Sequence, residues 1–79
     1  MYWVYVLAND DSSRRYVGFT NNIERRLKEH NSGHTRSTKN QKWSVIYKEQ
    51  LEDRPSARKR EKYLKSAAGR RYLQKYLAS

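Results

Sequence analysis

Cysteine is absent from this 79-residue chain. That excludes disulfide staples, thiolate nucleophiles and zinc knuckles. The composition fits a cytoplasmic protein. No apolar run approaches the length of a membrane span, and the N-terminus carries no secretion signal. No internal repeat or low-complexity stretch is present. Acidic residues are scarce: 8 Asp and Glu stand against 18 Lys and Arg, a net charge of +10. Such an imbalance favours a polyanionic partner, nucleic acid first and an anionic membrane surface second. The membrane reading needs a helix with a broad apolar face and a basic polar face, which the chain lacks.

Apolar residues make up 35% of the chain and aromatics 13%. Much of that fraction is tyrosine, which packs its ring and keeps a wet hydroxyl. This content, with clear apolar periodicity, argues against disorder. The length fits one small domain spanning residues 1–79.

Tyr2 to Leu7 is continuously apolar or aromatic, as a strand covered on both faces reads. Asn9 to Ser13 is turn chemistry, and Arg14 to Gly18 reads as a second strand, so the two form a hairpin. Pairing Leu7 with Arg14 would set Tyr5 opposite Tyr16, on one face. Asn21 and Asn22 are good N-caps for a helix over Ile23 to Asn31, with Gly33 just past its end. Ile23, Arg26, Leu27 and His30 share one face of that helix, while Glu24, Arg25, Lys28 and Glu29 suit solvent. Ser32 to Lys42 is a polar basic loop, and Trp43 to Glu49 reads as a third strand. Asp53 and Pro55 open a second helix, to about Ser66, with Ala57, Glu61, Leu64 and Ala68 in its stripe. Gly69 marks a kink or boundary before a last helix striped by Tyr72, Leu73, Tyr76 and Leu77. The order β-β-α-β-α-α predicts an α+β fold: a small, mainly antiparallel three-stranded sheet flanked by helices.

Polarity breaks pattern at three places. Glu61 interrupts an apolar stripe, where a carboxylate is costly unless it is paired or binds a metal. Spacing alone leaves open a structural pair with a nearby Arg or Lys. Arg26 and His30 interrupt the face of the first helix. Arg26 can snorkel over the core, and His30 can be a half-buried, hydrogen-bonded imidazole. Together with Tyr5 and Tyr16, these groups point toward one region of a very basic domain. Metal-assisted phosphodiester hydrolysis uses those types: a carboxylate for a hard cation, a guanidinium for growing phosphate charge, and a Tyr or His to activate water.

The chain resembles the GIY-YIG nuclease superfamily over nearly its whole length. Trp3-Val4-Tyr5 stands as the first signature triplet, with Trp3 in place of its glycine, and Tyr16-Val17-Gly18 as the second. The segment from Asn22 to Leu27 resembles the helix bearing the family's catalytic arginine, which maps onto Arg26. His30 matches a histidine found in many members. Ala57 to Glu61 resembles the segment bearing the metal-binding glutamate, which maps onto Glu61. The likeness is greatest to small stand-alone bacterial members related to the catalytic domain of the excision-repair nuclease. The resemblance implies one divalent cation, Mg²⁺ or Mn²⁺, held by Glu61, and a water activated by Tyr16 or Tyr5. It also implies that Arg26 stabilises the charge on the phosphorus centre and that Gly18 leaves backbone room beside the phosphate.

Arg36, Lys39 and Lys42 in the central loop are expected to meet phosphates. So are Arg58, Lys59, Arg60, Lys62 and Lys65 on the second helix, with Arg70, Arg71 and Lys75 extending the surface. Such contacts position a backbone without reading sequence. The expected function is a metal-dependent DNA endonuclease, selective for structure rather than sequence, with RNA open as an alternative substrate. Specificity would come from nucleic-acid shape or from a targeting protein partner. The competing expectation is a catalytically silent nucleic-acid-binding module, for which Glu61 near phosphates would be a liability.

Overall fold

The computed structural model describes residues 1–9, 14–31 and 42–78. The chain runs β1 (Tyr2–Asn9), β2 (Arg15–Thr20), α1 (Ile23–Asn31), β3 (Trp43–Leu51), α2 (Arg54–Lys65) and α3 (Ala67–Ala78). This is the expected α+β order. The sheet is antiparallel throughout, in the order β2-β1-β3, so β1 is central. Most of the expected turn after Asn9, the Gly33 cap and the loop carrying Arg36 and Lys39 lie outside the described residues.

β1 is buried on both sides because a helical layer covers each face of the sheet. On one face Val4 and Val6 pack with Tyr47, Ala57, Leu64 and Leu73 under α2 and α3. On the other, Tyr5 and Leu7 pack with Trp43, flanked by Ile23 and Leu27 of α1. Strict alternation along β3 would send Trp43, Val45 and Tyr47 to a single face. A register shift lets both layers share the strand: Val6 pairs with Tyr47, whereas Leu7 pairs with Val45. The extra residue, Ile46, bulges and reverses the alternation. Trp43 and Val45 therefore serve α1, and Tyr47 serves α2 and α3.

The hairpin register corrects the expected one. Leu7 pairs with Tyr16 and Tyr5 with Gly18, two residues along from the expected pairing. A slip of two leaves each side chain on its face. Tyr5 and Tyr16 thus still share a face, but as diagonal rather than direct neighbours.

The helix ends follow from their caps. Asn22 Oδ1 accepts from the Arg25 amide at 3.1 Å, and Asp53 Oδ1 from the Ser56 amide at 2.8 Å. Ser66 serves two helices, since its amide donates to the Tyr63 carbonyl at 3.0 Å while its hydroxyl accepts from the Gly69 amide at 3.2 Å. The α2–α3 boundary is therefore Ser66, not Gly69, and Ala68 is exposed. At the far end of α1, the Asn31 side chain brackets the Trp43 backbone, accepting from its amide at 2.6 Å and donating to its carbonyl at 3.2 Å. That clamp fixes α1 against the start of β3.

Gly69 is needed for packing. A Cβ there would fall 2.0 Å from the Tyr63 carbonyl oxygen and 2.4 Å from Leu64 Cα. Both atoms are backbone and cannot swing away, so only a hydrogen lets α3 fold back onto α2. Replacing glycine by alanine inside a helix ordinarily gains about 1 kcal/mol. Here the sign should reverse: Gly69→Ala is expected to lose about 1–3 kcal/mol, as overpacked cores do. Urea unfolding of both proteins measures the difference, and a midpoint equal to or above the parent's would contradict the packing role.

Candidate active site at the open edge of the sheet

β2 is an edge strand, and Gly18 sits midway along it, paired with Tyr5 of β1. A Cβ on Gly18 would lie 2.6 Å from the Tyr5 hydroxyl and 3.0 Å from the Tyr16 ring. The missing side chain lets the Tyr5 ring lie across β2 and brings its hydroxyl toward the sheet edge. Tyr16 lies beside it, with ring centroids 6.3 Å apart and planes 29° from parallel.

α1 supplies the partners. Arg26 Nε donates to the Tyr5 hydroxyl at 3.4 Å, and Nη1 bridges to Glu29 Oε1 at 3.3 Å. The hydrogen bond to Tyr5, with Tyr16 and Glu29 close by, raises the guanidinium pKa, so Arg26 is permanently charged. Glu29 is an addition to the expected set. Helical position alone puts it toward solvent, although its i,i+3 spacing from Arg26 is that of a helix pair. His30, one turn beyond Arg26, is 0% exposed rather than half-buried. Its Nε2 lies 3.5 Å from the Tyr5 hydroxyl, and its ring 4.6 Å from that of Tyr16. Burial, reinforced by the Arg26 charge, lowers its pKa, and the imidazole is neutral at neutral pH.

The two tyrosines differ in access. Tyr5 is 1% exposed, and burial raises its pKa despite the opposing hydrogen bond from Arg26. Its phenol holds its proton. Tyr16 is half-exposed and can meet solvent.

Glu61 approaches from α2, with its side chain 17% exposed. Its charge helps to raise the Tyr5 pKa, which places it within electrostatic reach of the cluster. Lys65, one turn on, pairs with it at 3.6 Å. At that distance, with the lysine 55% exposed, the pair is weak. The carboxylate is a hard oxygen donor with spare lone pairs. Mg²⁺ is commonly held by one or two carboxylates, waters and substrate phosphates, and Glu61 fits that role. Among the described residues no group of three or more His, Asp or Glu could form an all-protein cage. Four of the five expected site residues thus gather in contact around the β2 edge, while Glu61 contacts Lys65 of its own helix and acts on Tyr5 through its charge.

The expected binding surface is more divided. Lys42, Arg58, Lys59, Lys62 and Lys65 are exposed, as are Arg70, Arg71 and Lys75. Arg60 is not free. Its Nε donates to Glu49 Oε1 at 3.1 Å, and its guanidinium stacks over the Tyr63 and Tyr72 rings at 4.9 and 5.0 Å. Tyr47 also donates to Glu49 at 2.6 Å. This network braces α2 and α3 against β3 and removes Arg60 from the candidate phosphate contacts. Helical spacing could not reveal this, because Glu49 is a strand residue. No helix among the described residues is long and apolar enough to cross a membrane.

Comparison with known proteins agrees with this geometry. A UPF0213 protein of Clostridium perfringens is 38% identical over 78 residues, covering 94% of this chain and 81% of its own length. A UPF0213 protein of Limosilactobacillus reuteri is 38% identical over 80 residues, covering 96% and 81%. One from Lactiplantibacillus plantarum is 39% identical over 79 residues, covering 91% and 77%. No solved structure matches the chain. The GIY-YIG catalytic domain matches residues 1–76. With the tyrosine pair, the helix-borne arginine and the late glutamate at one sheet edge, the chain belongs to the GIY-YIG family, a nuclease-type fold.

Proposed function

We propose that the protein is a divalent-metal-dependent DNA endonuclease that hydrolyses phosphodiester bonds and selects substrates by structure. The observation that carries this reading is the meeting of Tyr5, Tyr16, Arg26 and His30 at the open β2 edge, with the Glu61 charge acting on Tyr5 from α2. The alternative of a silent binding module is favoured by one observation, the ion pair that gives Glu61 a structural partner in Lys65.

In the proposed reaction the scissile phosphate lies at the β2 edge, beside the Tyr16 ring and the Arg26 guanidinium. Water attacks phosphorus, and the bond to the leaving sugar oxygen breaks. The half-buried Tyr16 takes the water's proton as its own passes to solvent, and solvent protonates the leaving oxygen. Arg26, pre-oriented by Glu29 and Tyr5, faces the charge that builds on the phosphoryl oxygens and need not reorganise. Tyr5, already donor-bound and buried, positions Arg26 and does not act as the base. A cation held by Glu61 would polarise the phosphate and steady the leaving oxygen. Exposed cations on α2, together with Lys42, Arg36 and Lys39, would hold the flanking backbone.

The direct test is a cleavage panel of duplex, single-stranded, flapped and branched DNA with Mg²⁺, Mn²⁺ or EDTA. Cleavage of at least one substrate with metal, and none with EDTA, is expected. Inertness across the whole panel would leave the silent module standing.

Arg26→Ala should lower the cleavage rate about a hundred-fold or more, by analogy with an oxyanion donor, while changing affinity far less. Equal losses in rate and affinity would make Arg26 a phosphate clamp only.

Tyr16→Phe should abolish most cleavage and cost less than about 1 kcal/mol of stability, because the ring that packs against the core stays and only the hydroxyl is lost. Tyr5→Phe should retain more activity, since it removes a positioning contact. The reverse order in a rate assay would exchange the two roles.

Glu61→Gln should keep affinity for DNA and lose both metal binding and cleavage. Its melting temperature without metal should match or exceed the parent's, because the Lys65 pair contributes little. Metal at a hundred times its Kd should stabilise the parent by about 2.7 kcal/mol and leave the variant unmoved. A variant that melts well below the parent and still cuts would establish Glu61 as a structural partner of Lys65.

A further inference from the structure

Across β2 from the cluster lies a cleft of about 800 Å³, between the edge strand and helices α2 and α3. Its floor is apolar: Val6, Leu64 and Leu73 are 0–2% exposed. Its rim is cationic, with exposed Arg15, Lys65 and Arg70. Tyr16 belongs to both the cleft and the cluster, and Lys65 is the residue paired with Glu61. The cleft and the candidate active site therefore abut at one strand.

The chemistry of the cleft narrows its ligand. Phosphate contacts to a duplex need exposed cations and no apolar hollow beneath them. An apolar ligand needs the hollow and gains nothing from three cations. A nucleotide has both parts, a flat base that is costly to leave in water and an anionic phosphate. The volume lies within the range of about 300–1,000 Å³ usual for sites that enclose small ligands. The neighbouring Gln74 amide can donate to and accept from a base edge.

Strand geometry adds a second constraint. Side chains alternate along β2, so Arg15 and Val17 face the cleft while Tyr16 sides with the α1 layer. A nucleic acid reaching both must bend sharply over the strand edge. Duplex DNA, with a persistence length of about 50 nm, resists such a bend, whereas a single strand follows it. Resting on the nuclease reading above, we propose that this cleft is a subsite for an unpaired nucleotide of the strand being cut. The base lies against half-buried Val17, which packs on the apolar floor, and Arg15 and Arg70 hold its phosphates. Substrates with a flap or single-stranded end next to the scissile bond are thereby preferred over continuous duplex.

The test uses the full chain in EDTA, so that binding is read without cleavage, and 2-aminopurine at the first unpaired position of a flapped DNA. Binding to the parent should change the probe's fluorescence as the base leaves its neighbours for the cleft. The double variant Arg15→Ala/Arg70→Ala, altered only at exposed positions, should lose that change. Its affinity for the flap should fall about tenfold, comparable to losing one stacked base, and clearly more than its affinity for duplex, to which Arg70 also contributes as a surface cation. Equal losses on flap and duplex would reduce the arginines to general phosphate contacts and overturn the proposal. An unchanged probe signal in the variant would do the same. Full displacement of the probe signal by a deoxynucleoside monophosphate, with the flapped DNA still bound, would assign the cleft to a free nucleotide instead. A parallel assay with Mg²⁺ separates the two readings. Cleavage without a probe response removes the subsite alone, and a probe response without cleavage on any substrate removes the nuclease reading alone.

Discussion

The close approach of Tyr5 to Gly18 is the contact on which the rest of the site depends. A side chain on Gly18 would occupy the place of the Tyr5 hydroxyl, 2.6 Å away. The Tyr5 ring is buried and has no other low-energy place to go. Its hydroxyl is the common point for Arg26 and His30. Pushing it aside would unseat both residues of α1 at once. Backbone spacing within one strand pair thus sets the position of a guanidinium on a helix 21 residues away from Tyr5.

A small domain must still bury enough apolar surface to hold such a cluster. This chain does so by covering both faces of a three-stranded sheet. The bulge at Ile46 is what permits it, because it lets β3 feed Trp43 into one layer and Tyr47 into the other. On the α2–α3 side the buried Tyr47 and the half-buried Glu49 and Arg60 are paired among themselves. Glu49 accepts from Tyr47 and Arg60, and the Arg60 guanidinium is stacked between two tyrosine rings. Burial and the Glu49 carboxylate together raise the Tyr47 pKa, so that phenol remains a donor. This network is structural and closed. The cluster at the β2 edge is open, with a half-exposed phenol and a weakly paired carboxylate.

That contrast bears on function. Polar groups that serve stability satisfy one another, whereas groups that serve a reaction keep capacity in reserve and lower the stability of the domain. In the proposed reaction Glu61 and Tyr16 are of the second kind, whereas Glu49 and Tyr47 satisfy one another. With a net charge of +10, a reserve carboxylate also limits how strongly polyanions are held near the reacting atoms.

Much of this was legible in the sequence, because it depends on local chemistry. The apolar run of β1, the Asn22 and Asp53 caps and the stripe on α1 follow from side-chain type and period, and they put Arg26 and His30 on one face without reference to the rest of the chain. The two triplets and the late glutamate identified the family. What the tertiary structure decided involves pairs that no local period links. The hairpin register depends on which side chain can cross Gly18, and it differs by two residues from the register set by turn length alone. The fate of Arg60 depends on Glu49 of another element, so helical spacing could not tell it from the exposed cations beside it. Glu61 pairs with Lys65 of its own helix, and its charge acts on Tyr5 of another element. Gly69 reads as a helix breaker in a linear chain. In three dimensions it is the point where two helices meet too closely for a methyl group, and the boundary falls at Ser66, whose backbone and hydroxyl can end one helix and begin the next.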